Sequence, residues 1–333
     1  MAEKNSPQIS VIVVTPDCYG TIRRTIDHLR TQTICDQLEI VIVAPSAGCL
    51  SDHSGELNEL NHQIVEAGPI ESTPRARAAG VRRARAPIVA LAEDHSFPEQ
   101  LWAEILLARH RGPWAAVGPA MCNANPHGAL SWANLAIEYS PWMDPVPSGP
   151  ANHLPGHSSS YKRDVLLAYG DQLEAMLEAE SVLHWDLRAK GHLLYLDSKA
   201  KTYHQNYSLL RPTLLLRFLG GRSFGAARSR RWSKARRLVY GLASPLIPIV
   251  RASRVLPSLA RSGQLWRFTP EILLLVGVNL VCDAMGEMCG YLLGAGDSMK
   301  RLSEMEFSRD RFMDPRDTLE TATNPRLASF ATK

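Results

Sequence analysis

The sequence predicts an α/β fold with a mostly parallel, doubly wound sheet, followed by a basic helical region. Three observations carry this. Short, continuous apolar runs that stop at turn residues alternate with segments of helical period over about the first 110 residues. A mixed stretch follows, and from Arg211 the composition shifts abruptly to Leu, Arg and small residues. At 333 residues the chain is long enough for one large domain or two modest ones, each with its own core. With 45% hydrophobic and 21% charged residues it is neither disordered nor fibrous. The six cysteines are scattered without a C-x-x-C pair, which excludes a zinc ribbon, disfavours a disulfide scaffold and points to a reducing cytosol. The opening residues Met1 to Gln8 hold no apolar core of a signal peptide, so none is expected.

Ile9 to Val14 is an apolar run ended by Thr15-Pro16 and reads as a buried parallel strand. From Tyr19 to Gln32, Ile22, Ile26 and Leu29 mark one face of a helix. A second strand, Leu38 to Ala44, stops at Pro45-Ser46, and Gln63 to Glu66 is a short third. Thr73-Pro74 opens a helix through Arg85, with proline in its first turn. Pro87 to Ala92 is another buried strand, and Phe97 to Arg111 another helix. Beyond these, Trp114 to Met121 reads as a strand, Leu130 to Tyr139 as a helix, Pro141 to Pro155 as a loop, and 193–196 and 200–204 as two short strands.

In open sheets of this kind ligands bind beyond the carboxyl ends of the strands. Neither G-x-G-x-x-G nor G-x-x-x-x-G-K-[ST] occurs at those ends, which disfavours a dinucleotide dehydrogenase or a P-loop enzyme. The strand from Ile88 instead delivers Glu93, Asp94 and His95. Two carboxylates beside an imidazole suit Mn²⁺ or Mg²⁺, and such an ion can neutralise a diphosphate leaving group. The plainer reading makes Glu93 an acid favoured by the dipole of the next helix.

The order of these signals resembles a family 2 glycosyltransferase of GT-A fold, over roughly residues 9–208. Val13-Val14-Thr15-Pro16 matches the short turn after the family's first strand, and Ala76-Arg77-Ala78-Ala79-Gly80 partly matches its Ala-Arg-Asn-x-Gly helix. Glu93-Asp94-His95 stands in the Asp-x-Asp slot a few residues before Pro98, with Glu93 and His95 where the aspartates usually stand. The stretch from Gly156 to Asp164 is similar to the family's acceptor-side loop.

The resemblance implies an inverting transfer of a sugar from a nucleoside-diphosphate-sugar, a UDP-sugar first among them, to a glycan or lipid-linked acceptor. Counting back from Gly191 through Leu187 and Leu183 puts Glu180 at the family's base position, with Glu178 as its rival in another helix register. A carboxylate there takes the proton of the acceptor hydroxyl. The bland alternative is that Glu174, Glu178 and Glu180 form a solvated acidic face. By the same resemblance Thr15, Pro16, Ser46, Arg77, Glu93 and Asp94 bind the nucleotide and its diphosphate. Asp94, His95 and His204 are the expected metal ligands, and Gly156, His157, Ser158 and Trp185 shape the sugar and acceptor pocket, with Trp142 a second ring for stacking. Most tryptophans of this kind are core, and a lone strand-end histidine such as His204 is usually structural. The chain departs from the family at Ile42-Val43-Ala44-Pro45-Ser46, where the carboxylate that reads the base is missing, and at His95, which leaves the choice of metal open.

Between Arg211 and Pro270 there are thirteen Arg or Lys and no acid; of the chain's 37 basic residues this leaves 24 against 33 acidic ones elsewhere. Apolar runs lie beside the charges: Leu238 to Val250, and Ile272 to Cys282 stopped by Asp283 and Glu287. Neither reaches the twenty residues of a spanning helix. The pattern predicts an element lying on an anionic membrane surface at its cytoplasmic face. Nucleic acid is the rejected rival partner, because few aromatics interleave the charges and long Leu/Ile/Val runs have no use on a phosphate backbone. The expected organisation is a catalytic domain over 1–210, a membrane-associated region over 211–299 and a mobile polar tail over 300–333. Two rival functions stand beside the transferase: a membrane-associated scaffold that kept the fold but not turnover, and a nucleotidyltransferase, whose Gly-rich N-terminal loop is not seen.

Overall fold

The structure, a computed structural model, describes residues 6–261 and 263–317. They fall into two compact units, one holding the chain through Cys122 and Pro147–Tyr203, the other Asn123–Val146 and the chain from His204.

In chain order the first unit runs β1 (Ile9–Val14), α1 (Tyr19–Arg30), β2 (Leu38–Ala44), α2 (Ser54–Leu57), β3 (His62–Glu66), α3 (Thr73–Arg83), β4 (Ile88–Leu91), β5 (Ser96–Pro98), α4 (Trp102–Arg109) and β6 (Trp114–Asn123). After α5 (Ala129–Tyr139), which belongs to the second unit, come β7 (Gly149–Ala151), β8 (Ser160–Lys162), α6 (Arg163–Leu167), α7 (Leu173–Leu177), α8 (Glu180–Ala189) and β9 (Leu193–His204). The nine strands form one sheet in the order β3-β2-β1-β4-β8-β6-β9-β5, with β7 beside β9.

Strands β3, β2, β1 and β4 are parallel to one another, whereas β8 runs antiparallel to both β4 and β6, and β7 antiparallel to β9. The sheet is therefore mixed rather than mostly parallel. Parallel pairing holds only where helical crossovers connect the strands. Every residue of β1, β2 and β4 is buried, as strands covered on both faces require. Within the apolar runs the polar Ser10 and Glu39 sit opposite each other, and the Glu39 carboxylate accepts from the Arg85 backbone N–H at 2.8 Å. Helix α3 presses on this layer through Gly80, where a Cβ would lie 2.5 Å from Ile12 Cγ2.

Three further expectations change. The helix expected from Phe97 starts only at Trp102, because Ser96–Pro98 joins the sheet as β5. The expected loop over 141–155 contributes β7. The two short strands expected near 193 and 200 are one twelve-residue strand, β9.

The second unit adds α9 (Leu210–Arg228), α10 (Lys234–Ala243), α11 (Ile247–Arg261), α12 (Pro270–Leu293) and α13 (Ser298–Phe307) to α5. Helix α12 does not stop at Asp283 and Glu287. Both carboxylates bind the Arg251 guanidinium of α11, Asp283 Oδ2 at 2.6 Å, so the charges are neutralised inside the helical packing. At 24 residues α12 is long and apolar enough, by length and composition, to cross a membrane, though 44% of its most apolar stretch is buried inside the protein. Helices α9 and α12 meet at backbone contact: a Cβ at Gly221 would lie 2.2 Å from the Asp283 carbonyl, and one at Gly286 2.1 Å from that of Phe218. The expected polar tail begins within α13, and its residues 318–333 lie outside the described residues.

Candidate active site

The carboxyl ends of β1, β2 and β4 deliver Thr15-Pro16, Pro45-Ser46 and Glu93-Asp94-His95 to one edge of the sheet, since β1 is paired in parallel register with both neighbours. Thr15 is buried and donates its hydroxyl to the Cys18 carbonyl at 2.8 Å, closing the turn after β1; Pro16 is half-buried. Ser46 is exposed, with its hydroxyl 3.4 Å from Cys49 Sγ. The missing carboxylate after β2 has neighbours that pattern reading overlooked. Glu66, ending β3, accepts from the Ala47 backbone N–H at 2.7 Å, and Asp17, after β1, accepts from the Cys18 N–H at 2.6 Å. Their position at adjacent strand ends was the available signal.

Deeper in the edge, Glu93 is held from several sides. Thr25 of α1 donates to its backbone carbonyl at 2.8 Å, and the Ser96 hydroxyl donates to Oε2 at 3.1 Å. His95 Nε2 lies 3.3 Å from Oε2, while His95 Nδ1 lies 2.6 Å from Asp94 Oδ1. Arg77, 4% exposed, is set apart from Arg75, Arg82, Arg83 and Arg85 of its segment, which are exposed. It sits one turn before Gly80, so the close approach of α3 to β1 sinks its side chain into the site. Nη2 lies 3.3 Å from Glu93 Oε1 and Nη1 3.4 Å from Glu180 Oε1.

Glu180 is the first residue of α8, where free backbone N–H groups favour a carboxylate. His157 Nδ1 lies 2.7 Å from Glu180 Oε1 and 3.6 Å from Glu93 Oε1. The same Nδ1 is 2.7 Å from Arg77 Nη1. The ionised Glu180 carboxylate can only accept, so Nδ1 carries the proton towards it and its contact with the always-protonated Arg77 is donor to donor; two carboxylates hold two cationic donors together. His157 accordingly donates to Glu180. Burial alone would lower the His157 pKa, but the facing Glu180 and Glu93 raise it above the ordinary histidine value. Burial would raise the Glu180 pKa, but His157, Arg77 and the helix N-terminus bring it down to about 2. Glu93 is likewise lowered despite burial, by His157, His95 and Arg77.

Thus Arg77, Glu93, Asp94, His95, His157 and Glu180 come together. Gly156 makes room for this: a Cβ there would lie 2.2 Å from Glu180 Cγ and 2.4 Å from its Cβ. Ser158 is buried beside them, its hydroxyl without a hydrogen-bond partner among the described residues. The rival Glu178 lies in the turn between α7 and α8, half-buried, two residues before the cluster member. Behind Glu180, His184 is bonded through Nε2 to the Tyr161 hydroxyl at 2.9 Å, and burial lowers its pKa to about 3. Trp185 donates to His153 Nε2 at 3.0 Å. In the second unit His204 ends β9, with Nδ1 2.9 Å from Asn206 Oδ1 and its ring against Tyr139, which also packs on Trp142.

Glu93, Asp94 and His95 offer carboxylate oxygen and imidazole nitrogen side by side, a donor set suited to a divalent ion such as Mn²⁺. Among solved structures, a mannosyltransferase from Pyrobaculum calidifontis, solved with GDP-Man and Mn²⁺, resembles the chain with a TM-score of 0.53 and 16% identity, over 84% of this chain and 86% of its own. The chain shares its fold with that mannosyltransferase. A second solved structure, GalNAc-T7 with UDP, GalNAc and Mn²⁺, aligns over 61% of this chain and 44% of its own, with a TM-score of 0.44 and 12% identity. No protein-family model and no curated protein matches the sequence.

Proposed function

We propose that the protein is an inverting, metal-dependent glycosyltransferase acting on a glycan or lipid-linked acceptor at the cytoplasmic face of a membrane. The observation that carries the reading is the convergence of Glu180 with Glu93, Asp94 and His95 around Arg77, from stretches some ninety residues apart in sequence. That the mannosyltransferase of the same fold was solved with a nucleotide-sugar and Mn²⁺ supports the donor class and the metal.

By the resemblance Asp94, His95 and His204 would hold the ion, with the Glu93 carboxylate beside Asp94 and His95. A divalent ion bound there would neutralise charge on a departing diphosphate. Thr15, Pro16 and Ser46 border the nucleotide, and Arg77 turns from its carboxylates towards the diphosphate. Glu180, released from that guanidinium, accepts the proton of the attacking hydroxyl. His157, still donating to Glu180, orients it. Gly156, Ser158 and Trp185 border the sugar and acceptor. The sequence gap after β2 leaves the base open, and a UDP-sugar is the first donor to test.

Attachment to an anionic membrane rests on the second unit. Leu242 of α10 and Ile249 of α11 are 71% and 68% exposed and follow closely along the chain on Arg230, Arg231, Lys234, Arg236 and Arg237, and Leu274 of α12, 68% exposed, follows Arg267. Large apolar side chains left in water beside a basic stretch suit a headgroup interface.

The test is donor hydrolysis by the full chain with a panel of nucleotide-sugars and Mn²⁺ or Mg²⁺. Release of nucleoside diphosphate that disappears in Glu180→Gln supports the transferase. Absence of donor binding and turnover across the panel favours the scaffold instead.

A further inference from the structure

A cleft of about 810 Å³ opens in the first unit at the opposite end of the β4–β8 strand pair from the site just described. The register fixes this. Ile88 and Lys162 pair and both line the cleft, whereas Glu93 follows β4 and His157 precedes β8.

Three cations line the cleft, Arg111, Lys162 and Arg163, against one carboxylate, Asp164. Asp164 is engaged at the start of α6, where Oδ1 accepts from the Val165 N–H at 2.8 Å. Arg163 donates to the Val81 and Arg82 carbonyls at the end of α3, at 3.3 and 3.2 Å. Arg111 and Lys162 have no carboxylate partner among the described residues. His110 also lines the cleft, with Nε2 2.9 Å from the Ser160 hydroxyl; burial, with the Lys162 charge adding to it, lowers its pKa to about 4, so it stands neutral. Gln8 and Gln37 add amide groups to the lining.

We propose that this cleft binds a phosphorylated small molecule, at a second anion site separate from the transfer site. Arg111 is exposed and Lys162 half-buried at this recess, and with no internal counter-charge both are available to an anion that enters it. Phosphate is the anion that both groups bind well, the lysine as a point charge and the arginine as a two-pronged donor. The volume falls in the range of sites for nucleotide-sized ligands, and the amides and neutral imidazole suit the uncharged part of such a molecule. The proposal goes beyond the transferase reading and does not depend on it.

The experiment is calorimetric titration of the full chain with inorganic pyrophosphate in the presence of a chelator, which suppresses binding that needs a divalent ion. One equivalent binds, and raising the ionic strength weakens it. The double variant Arg111→Gln/Lys162→Gln loses affinity by about tenfold or more, a change of about 1.4 kcal/mol, while Lys162→Arg retains most of it. Arg77→Gln, in the transfer site, leaves this equivalent in place. Melting of the double variant at the wild-type temperature shows that the fold is kept. Absence of binding at millimolar pyrophosphate overturns the proposal, as does binding that survives the double variant or vanishes in Arg77→Gln.

Discussion

Glu180 rests directly on Gly156: a Cβ at position 156 would stand 2.2 Å from Glu180 Cγ and 2.8 Å from its Cδ. The clash falls on the root of the side chain as well as its carboxylate, so a rotation about the last bond does not relieve it. Gly156→Ala therefore moves Glu180 away from His157 and Arg77. Overpacking of this kind costs about 1–3 kcal/mol of stability. Displacing a reacting group by about 1 Å can cost on the order of 100-fold in rate. Thermal melting with donor hydrolysis measures both, and a variant of unchanged activity would contradict the placement of Glu180 at the reacting centre.

Glu180→Gln keeps the shape of the side chain and removes the base. Loss of general-base assistance lowers transfer by about 10²–10⁴-fold, with donor affinity largely retained because Arg77, which turns to the diphosphate, is unchanged. His157→Gln has a different signature. In the wild type the Glu180 pKa of about 2 keeps the base ionised throughout the working range. Removing the His157 charge raises that pKa, so activity begins to fail at a higher pH on the acid side. A pH–rate profile of the two proteins checks the sign, and an acid limb that stays put or moves down would remove His157 from this role.

On the membrane side, Leu242 and Ile249 are 71% and 68% exposed. Replacing both with Glu leaves the packing of α10 and α11 untouched and places two negative charges on the apolar face. Burial of a leucine-sized side chain contributes roughly 2 kcal/mol, so the double variant loses well over tenfold in binding to vesicles containing phosphatidylserine. Flotation of wild type and variant measures it. Equal flotation of the two would show that this face does not meet lipid.

The elements legible in the sequence were those whose burial is uniform. The runs of β1, β2 and β4 are apolar because both faces are covered, and that needs no knowledge of partners. Glu180 was reached by counting from Gly191. What stayed hidden depends on tertiary contact. Phe97 and Pro98 continue into a helical pattern, and only a free sheet edge makes them β5. The apolar run ending at Cys282 reads as stopped by Asp283 and Glu287, and only Arg251 of α11, which supplies the counter-charge, lets the helix continue to Leu293. Arg77 matched a motif for diphosphate, but nothing local announced that it bridges Glu93 and Glu180. His157 read as part of a pocket wall, and its pairing with Glu180 joins positions whose relation no periodicity records. The glycines at 156 and 80 are legible only once the side chains opposite them are known.

The buried imidazole of His110 makes the stability of the protein depend on pH. Burial, reinforced by the Lys162 charge, lowers its pKa from 6.5 to about 4 in the folded state, where it is 7% exposed. The unfolded chain takes up a proton below pH 6.5 that the folded one resists until about pH 4. Stability contributed by the neutral ring is therefore complete above the unfolded value and is lost as pH falls through this window. The shift amounts to about 3 kcal/mol in full, of which about 2 kcal/mol is gone by about pH 5. Urea unfolding at neutral pH and near pH 5 measures the loss. His110→Gln keeps a polar group opposite Ser160 but cannot titrate, so its stability falls less over the same interval; the buried His184 supplies part of the remaining slope. An equal decline in the variant and the wild type would exclude His110 as a source of the acid sensitivity.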